Sequence, residues 1–112
     1  MTFRPEQRIR RHADFQDVYE HGIRIPGRYY TLFSKPNGLT VGRLGIAATK
    51  RLGGAVIRNR AKRLIREVFR RNDIAPGFDL VVVPRRELLA ASLTTLEADF
   101  RASVSRRVLK AR

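Results

Sequence analysis

Apolar residues recur at three- and four-residue spacing over residues 56–71. Ile57, Ala61, Leu64, Ile65, Val68 and Phe69 fall on one stripe, which predicts an amphipathic helix. The same reading predicts a short helix over residues 12–21, with Phe15, Val18 and Tyr19 on one face and Gly22 placed as a left-handed C-terminal cap. Residues 23–25 predict a brief strand closed by Pro26-Gly27. Residues 29–33 predict a second, closed by Lys35-Pro36-Asn37-Gly38, and the two make a hairpin. Residues 39–48 alternate imperfectly and predict a third strand, whose Gly42, Gly45, Ala47 and Ala48 let a neighbour pack close. The most apolar run, residues 80–83, predicts a central strand buried on both faces and stopped by Pro84. Thr94 with Glu97 forms a capping-box pattern before a last helix reaching about Lys110, with Leu96, Phe100, Val104 and Val108 as its stripe.

The order α-β-β-β-α-β-α describes an α+β fold, an α/β sandwich in which helices pack on a four-stranded mixed sheet. Residues 1–11 read as a basic arm with Phe3 and Ile9 as its possible anchors, and residues 12–112 as a single domain. One helix joins the third and fourth strands, which permits a parallel pair. The general rule makes such a crossover right-handed.

Charge changes the picture of the central helix. At about 100° per residue, Asn59, Lys62, Arg63, Arg66 and Arg70 lie opposite the apolar stripe, with Arg58 and Arg60 on its flanks. Between Lys50 and Arg71 nine Lys or Arg stand against the lone Glu67, a net +8 of the chain's +14. A solvated face would interleave acids at i,i+4, yet Arg58 with Lys62, Lys62 with Arg66, and Arg66 with Arg70 are repulsive pairs. Crowding of this kind costs folding free energy, and a polyanion relieves it.

Composition excludes several functions. With 112 residues, 43% of them hydrophobic, the chain is long enough for one core without staples. Having no cysteine, it has no disulfide, thiolate metal site or Cys nucleophile. No apolar run reaches membrane-span length and the N-terminus lacks a signal-like stretch, so a soluble, cytoplasmic protein is expected, with no membrane partner. His12 and His21 stand at opposite ends of one short helix, and Asp14 and Asp17 suit that helix's dipole. Ser34, Ser92, Ser103 and Ser105 have no catalytic motif around them, and Gly53-Gly54 is not followed by a phosphate-loop Gly-Lys-Ser or Gly-Lys-Thr. No catalytic residues and no metal site are expected in this chain, so any chemistry belongs to a partner.

Binding groups are plentiful. Arg58, Arg60, Lys62, Arg63 and Arg66 offer donors suited to phosphates along a nucleic-acid backbone, and the helix N-terminus after Gly53-Gly54 adds N–H groups and a positive dipole end. Phe15, Tyr19, Tyr30 and Phe33 supply aromatic faces on which unpaired bases can stack, although a domain this size also needs aromatics in its core. A stand-alone RNA- or DNA-binding protein, such as a ribosomal protein, shares the charge. A helix acting on anionic membranes would need its apolar face free, and here that face must close the core.

The string Gly54-Ala55-Val56-Ile57-Arg58-Asn59-Arg60-Ala61-Lys62-Arg63-Leu64-Ile65-Arg66-Glu67 closely resembles the signature of the protein subunit of bacterial ribonuclease P. Lys50-Arg51, Asp14-Phe15, Val18-Tyr19, Gly22 and residues 28–33 also match. The resemblance implies the accessory protein of a ribonucleoprotein endonuclease that removes the 5′ leader of precursor tRNA, with magnesium held mainly by the RNA subunit and no cofactor in the protein itself. It implies that Arg58, Asn59, Arg60, Lys62, Arg63 and Arg66 face the catalytic RNA, with Lys50 and Arg51 beside them. Phe15, Tyr19 and Phe33, joined by the neighbouring Tyr30, would receive the single-stranded leader in a cleft between first helix and sheet. The partners expected are therefore the catalytic RNA, one protein per RNA, and precursor tRNA. The resemblance also implies a left-handed crossover around the basic helix, against the general rule.

Overall fold

The computed structural model describes residues 7–72 and 76–105. In chain order the elements are α1 (His12–His21), β1 (Ile23–Pro26), β2 (Tyr30–Pro36), β3 (Arg43–Ile46), α2 (Ala55–Arg71), β4 (Phe78–Pro84), α3 (Glu87–Ala90) and α4 (Leu93–Ser103). The four strands form one mixed sheet in the order β1-β2-β4-β3. β1 and β2 are the expected antiparallel hairpin, β2 pairs antiparallel with β4, and β4 pairs parallel with β3. β4 is thus central, which is why Leu80, Val81 and Val82 are all apolar and buried.

Alternation along the strands divides the core between two faces. Leu32, Leu44, Leu80 and Val82 point toward Ile65, Val68 and Phe69 of α2 and Leu96 and Phe100 of α4. Val81 points the other way, toward Val18 of α1, with Phe15, Tyr19 and Phe33 beside it. The handedness of the β3-α2-β4 crossover follows from the same directions. The Val82 carbonyl accepts from Ala47 N–H at 2.9 Å, so it points toward β3, while the Val82 side chain lies on the α2 face. For an L-residue this places β3 to the right of β4 when the upward-running pair is viewed from α2. A chain that leaves β3, passes through α2 and enters β4 on its left turns left-handed, opposite to the general rule.

Several expectations are corrected in detail. Gly22 is not a left-handed cap, since its φ is −91°. A glycine is needed there because a Cβ would lie 2.6 Å from the carbonyl oxygens of both Ser34 and Val18, where α1 meets β2. β3 is shorter than residues 39–48; Leu39 and Val41 are exposed in the preceding turn, where Asn37 Oδ1 accepts from Leu39 N–H at 2.8 Å. That turn is tied to the sheet through buried Asp79, which accepts from Arg43 at 2.8 and 2.6 Å and from Asn37 at 3.0 Å, and the Asp79 carboxylate raises the Arg43 pKa. The short α3 has too few residues to show a helical period and was not expected.

The last helix starts earlier than the capping-box pattern suggests. Ser92 is the N-cap, its hydroxyl accepting from Thr95 N–H at 3.1 Å. Glu97 instead pairs with Arg71 at 3.0 Å and so ties α4 to the end of α2. Ser92→Ala is therefore expected to cost about 1 kcal/mol of stability and Thr94→Ala only a few tenths, as read by denaturant midpoints. Equal costs would restore Thr94 as the cap. Leu96, Phe100 and Val104 are buried as expected, while Val108, Lys110 and Phe3 lie outside the described residues.

Candidate nucleic-acid interface

α2 carries two kinds of cation. At its C-terminal end Arg70 bonds Glu67, whose carboxyl pKa is lowered chiefly by that bond, and Arg71 pairs with Glu97. Asn72 accepts from Arg101 at 2.6 Å and donates to the Val68 carbonyl at 2.6 Å, which fastens this end to α4. Toward the N-terminus the acids stop. Arg58, Arg60, Lys62, Arg63 and Arg66 have no carboxylate partner among the described residues, and Arg60 donates to the Leu89 carbonyl at 3.4 Å. Asn59, Arg60, Arg63 and Arg66 are exposed, and Arg58 and Lys62 half-buried.

The ridge is rigid because its opposite face is core. Ala61, Ile65, Val68 and Phe69 are buried and Leu64 packs against them. Ile57, expected on the same stripe, is 40% exposed and rests on Gly53, where a Cβ would meet it at 2.8 Å. Its neighbour Val56 is 84% exposed, an apolar point within the cationic surface. Gly54 caps the helix without a side-chain bond and the first turn holds no acid, so the positive dipole end faces solvent uncompensated. Lys50 and Arg51 are exposed in the turn between β3 and this helix end, where Leu52 N–H bonds the Thr49 carbonyl.

On the other face of the sheet, Phe15, Tyr19 and Phe33 form a half-buried aromatic seam between α1 and the strands. Tyr19 and Phe33 meet edge to face, with ring centroids 4.9 Å apart, and burial raises the Tyr19 phenol pKa. Phe15 lies against Gly45, where a Cβ would come within 2.8 Å of its ring, so glycine in β3 makes the room for this side chain. α1 is held over the sheet by Asp17, which accepts from Lys35 at 2.5 Å and contacts His21 at 3.0 Å; the Lys35 bond is the main reason its pKa is lowered. Asp17 thus serves as a tether to β2 more than as a dipole partner.

Tyr30 does not join this seam. It sits at an even position of β2, with Leu32, and alternation sends it to the α2–α4 face, where it is 7% exposed. Burial, then the nearby Asp99 carboxylate, pushes its phenol pKa far above the ordinary range. It is a core residue and is withdrawn from the stacking set.

Arg8 and Arg10, expected in the basic arm, are brought to the basic face by the anchoring of Ile9. Ile9 N–H bonds the Leu44 carbonyl at 2.8 Å, residues 8 and 44 pair as a parallel bridge, and Ile9 is 5% exposed. The signal was the alternation Arg8-Ile9-Arg10, which is that of an edge strand with one buried side. Among the described residues no group of three or more His, Asp or Glu is placed to hold a metal ion.

Known proteins share this fold. The family model described as Ribonuclease P matches residues 3–108. The ribonuclease P protein component of Thermotoga maritima is 39% identical over 89 residues, covering 78% of this chain and 76% of that one. That of Clostridioides difficile is 31% identical over 109 residues, covering 95% and 96%. Among solved structures, the RNase P protein from Thermotoga maritima superposes with a TM-score of 0.80 at 33% identity, over 88% of this chain and 96% of that one. The RNase P protein of Staphylococcus aureus does so with a TM-score of 0.76 at 30% identity, over 88% and 93%. By family match, relatives and fold alike, this chain belongs to the ribonuclease P protein family.

Proposed function

We propose that this chain grips the catalytic RNA of ribonuclease P through the ridge formed by Arg58, Asn59, Arg60, Lys62, Arg63 and Arg66, with Lys50 and Arg51 at its end. It guides the 5′ leader of precursor tRNA over Phe15, Tyr19 and Phe33. Cleavage of the leader belongs to the RNA, and so does most of the magnesium. One protein serves one RNA, in the cytoplasm; no described helix is long and apolar enough to cross a membrane.

The observation that carries this reading is the split of α2 into a paired C-terminal end and an unpaired, core-backed cationic remainder. A solubility surface gains nothing from leaving like charges unpaired on a rigid helix, whereas a phosphate backbone does. Adding the purified chain to a bacterial ribonuclease P RNA at low magnesium is expected to restore leader removal, while the chain alone cleaves nothing. Failure to restore it, or cutting by the chain alone, would overturn the assignment.

Phe15→Ala or Phe33→Ala is expected to cost about 1 to 3 kcal/mol of affinity for a precursor tRNA with its leader, if a base stacks on each ring. Tyr30→Phe, altered only within the core, should leave that affinity unchanged. Equal losses for a leaderless tRNA would show that the phenylalanines support the fold and not the leader.

A further inference from the structure

A cavity of about 150 Å³ lies where the arm, β3 and α2 meet. Its floor is Leu44 and Ile46, and its walls are Arg8 and Arg10 on one side and Lys62 and Arg66 on the other. Strand alternation builds the first wall: Ile9 is drawn to the α1 face beside Val18 and Val81, so Arg8 and Arg10 project to the α2 face. Helix periodicity builds the second, because Lys62 and Arg66 stand one turn apart along α2. None of these residues is acidic, and Arg10, Lys62 and Arg66 have no carboxylate partner among the described residues. Like charges converging on a concave, partly apolar site focus a positive potential inside it. The space is several times the roughly 30 Å³ share of one water.

We propose that this cavity receives one phosphodiester unit of the RNA partner, its phosphate held between Arg10 and Arg66 and its ribose resting on Ile46 and Leu44. The proposal rests on the RNA-gripping reading above and deepens it. The arm and the ridge close on the same backbone position from two sides, so the edge-strand pairing of the arm becomes part of the binding surface. Arginine forks on opposite sides satisfy different phosphate oxygens, which a single helix face does not. The aliphatic floor matches a sugar better than it matches a carboxylate side chain, which would leave that floor uncovered.

The test is a double-mutant cycle on the full chain, with a bacterial ribonuclease P RNA as the probe. At ~0.15 M salt, Arg10→Gln and Arg66→Gln are each expected to weaken binding by about fivefold. If both hold one phosphate, the double variant falls short of the roughly 25-fold product by at least about threefold, and the salt slope drops by about one unit in total. Arg10→Gln with Arg63→Gln, whose side chain lies outside the cavity, should multiply fully and lose about two units. Full multiplication for Arg10 and Arg66, or no effect of Arg10→Gln, overturns the shared site while leaving the ridge intact. No binding by the unaltered chain overturns both readings. Competition by an Asp-rich peptide that matches the RNA's loss on Arg10→Gln would assign the cavity to an acidic protein instead.

Discussion

Replacing Arg58, Arg60 and Arg63 together by Gln is expected to weaken binding to a bacterial ribonuclease P RNA by roughly 100-fold at ~0.15 M salt, and to lower the slope of log K against log salt by about three units. The estimate assumes that each side chain displaces the counterion of one phosphate. The same variant should be at least as stable as the parent chain when free, because it loses like-charge contacts worth about 0.2 to 0.5 kcal/mol each along the helix, such as that between Arg58 and Lys62. Opposite signs for affinity and stability are the mark of a surface kept for binding at some cost to the fold. Neutralising Arg70 and Arg71 supplies the contrast. Those side chains already face Glu67 and Glu97 at the surface, so their loss should trim stability only slightly and barely change the salt slope. Isothermal binding at several salt concentrations, with thermal melts of the free protein, reads both quantities. Equal effects of the two groups on the slope would mean that the division of α2 into paired and unpaired halves has no bearing on RNA.

Most of the fold was legible because its elements carry strong periodic signals. The stripe from Ala61 to Phe69, the unbroken run Leu80-Val81-Val82 and the stripe Leu96, Phe100 and Val104 each specify burial on a known face. What the sequence hid depends on partners distant in the chain. Gly22 looks like a helix cap locally, and only the Ser34 carbonyl in the facing strand shows why a side chain is excluded. Tyr30 looks like one more aromatic near Phe33, yet here strand alternation alone, already present in the predicted strand, sends residues three positions apart to opposite faces. The left-handed crossover has no local signature, because handedness is set by which face α2 covers after the strands have paired. Which side of the arm is fixed was not legible, because its anchor Ile9 fills a site made by α1 and β4 together. For the interface, residue types were legible and pairings were not. Arg70 meets Glu67 only three positions away, but the pairing of Arg71 depends on Glu97, twenty-six positions beyond it.

Phe100→Ala is expected to destabilise the chain by about 3 to 5 kcal/mol, a large part of the roughly 5 to 15 kcal/mol available to a domain of this kind. Phe100 is 2% exposed and its ring lies 4.2 Å from that of Phe69, tilted by 47°, so it joins α4 to the buried face of α2. The space already present among Tyr30, Phe69, Leu96 and Phe100 is only about 10 Å³, too little for neighbours to have slack with which to fill the hole. Because Phe100 is buried beneath α2 on the side away from the cations, the folded fraction of the variant should bind RNA with the parent's affinity and salt slope. RNA at 100 times its Kd should then raise the stability of parent and variant alike by about 2.7 kcal/mol, returning much of what the mutation removed. Denaturant titrations with and without RNA test this directly. A variant whose affinity stays depressed after correction for its unfolded fraction would show that α4 shapes the ridge and does not merely support it. A loss of stability below about 1 kcal/mol would show that the helix is dispensable to the core.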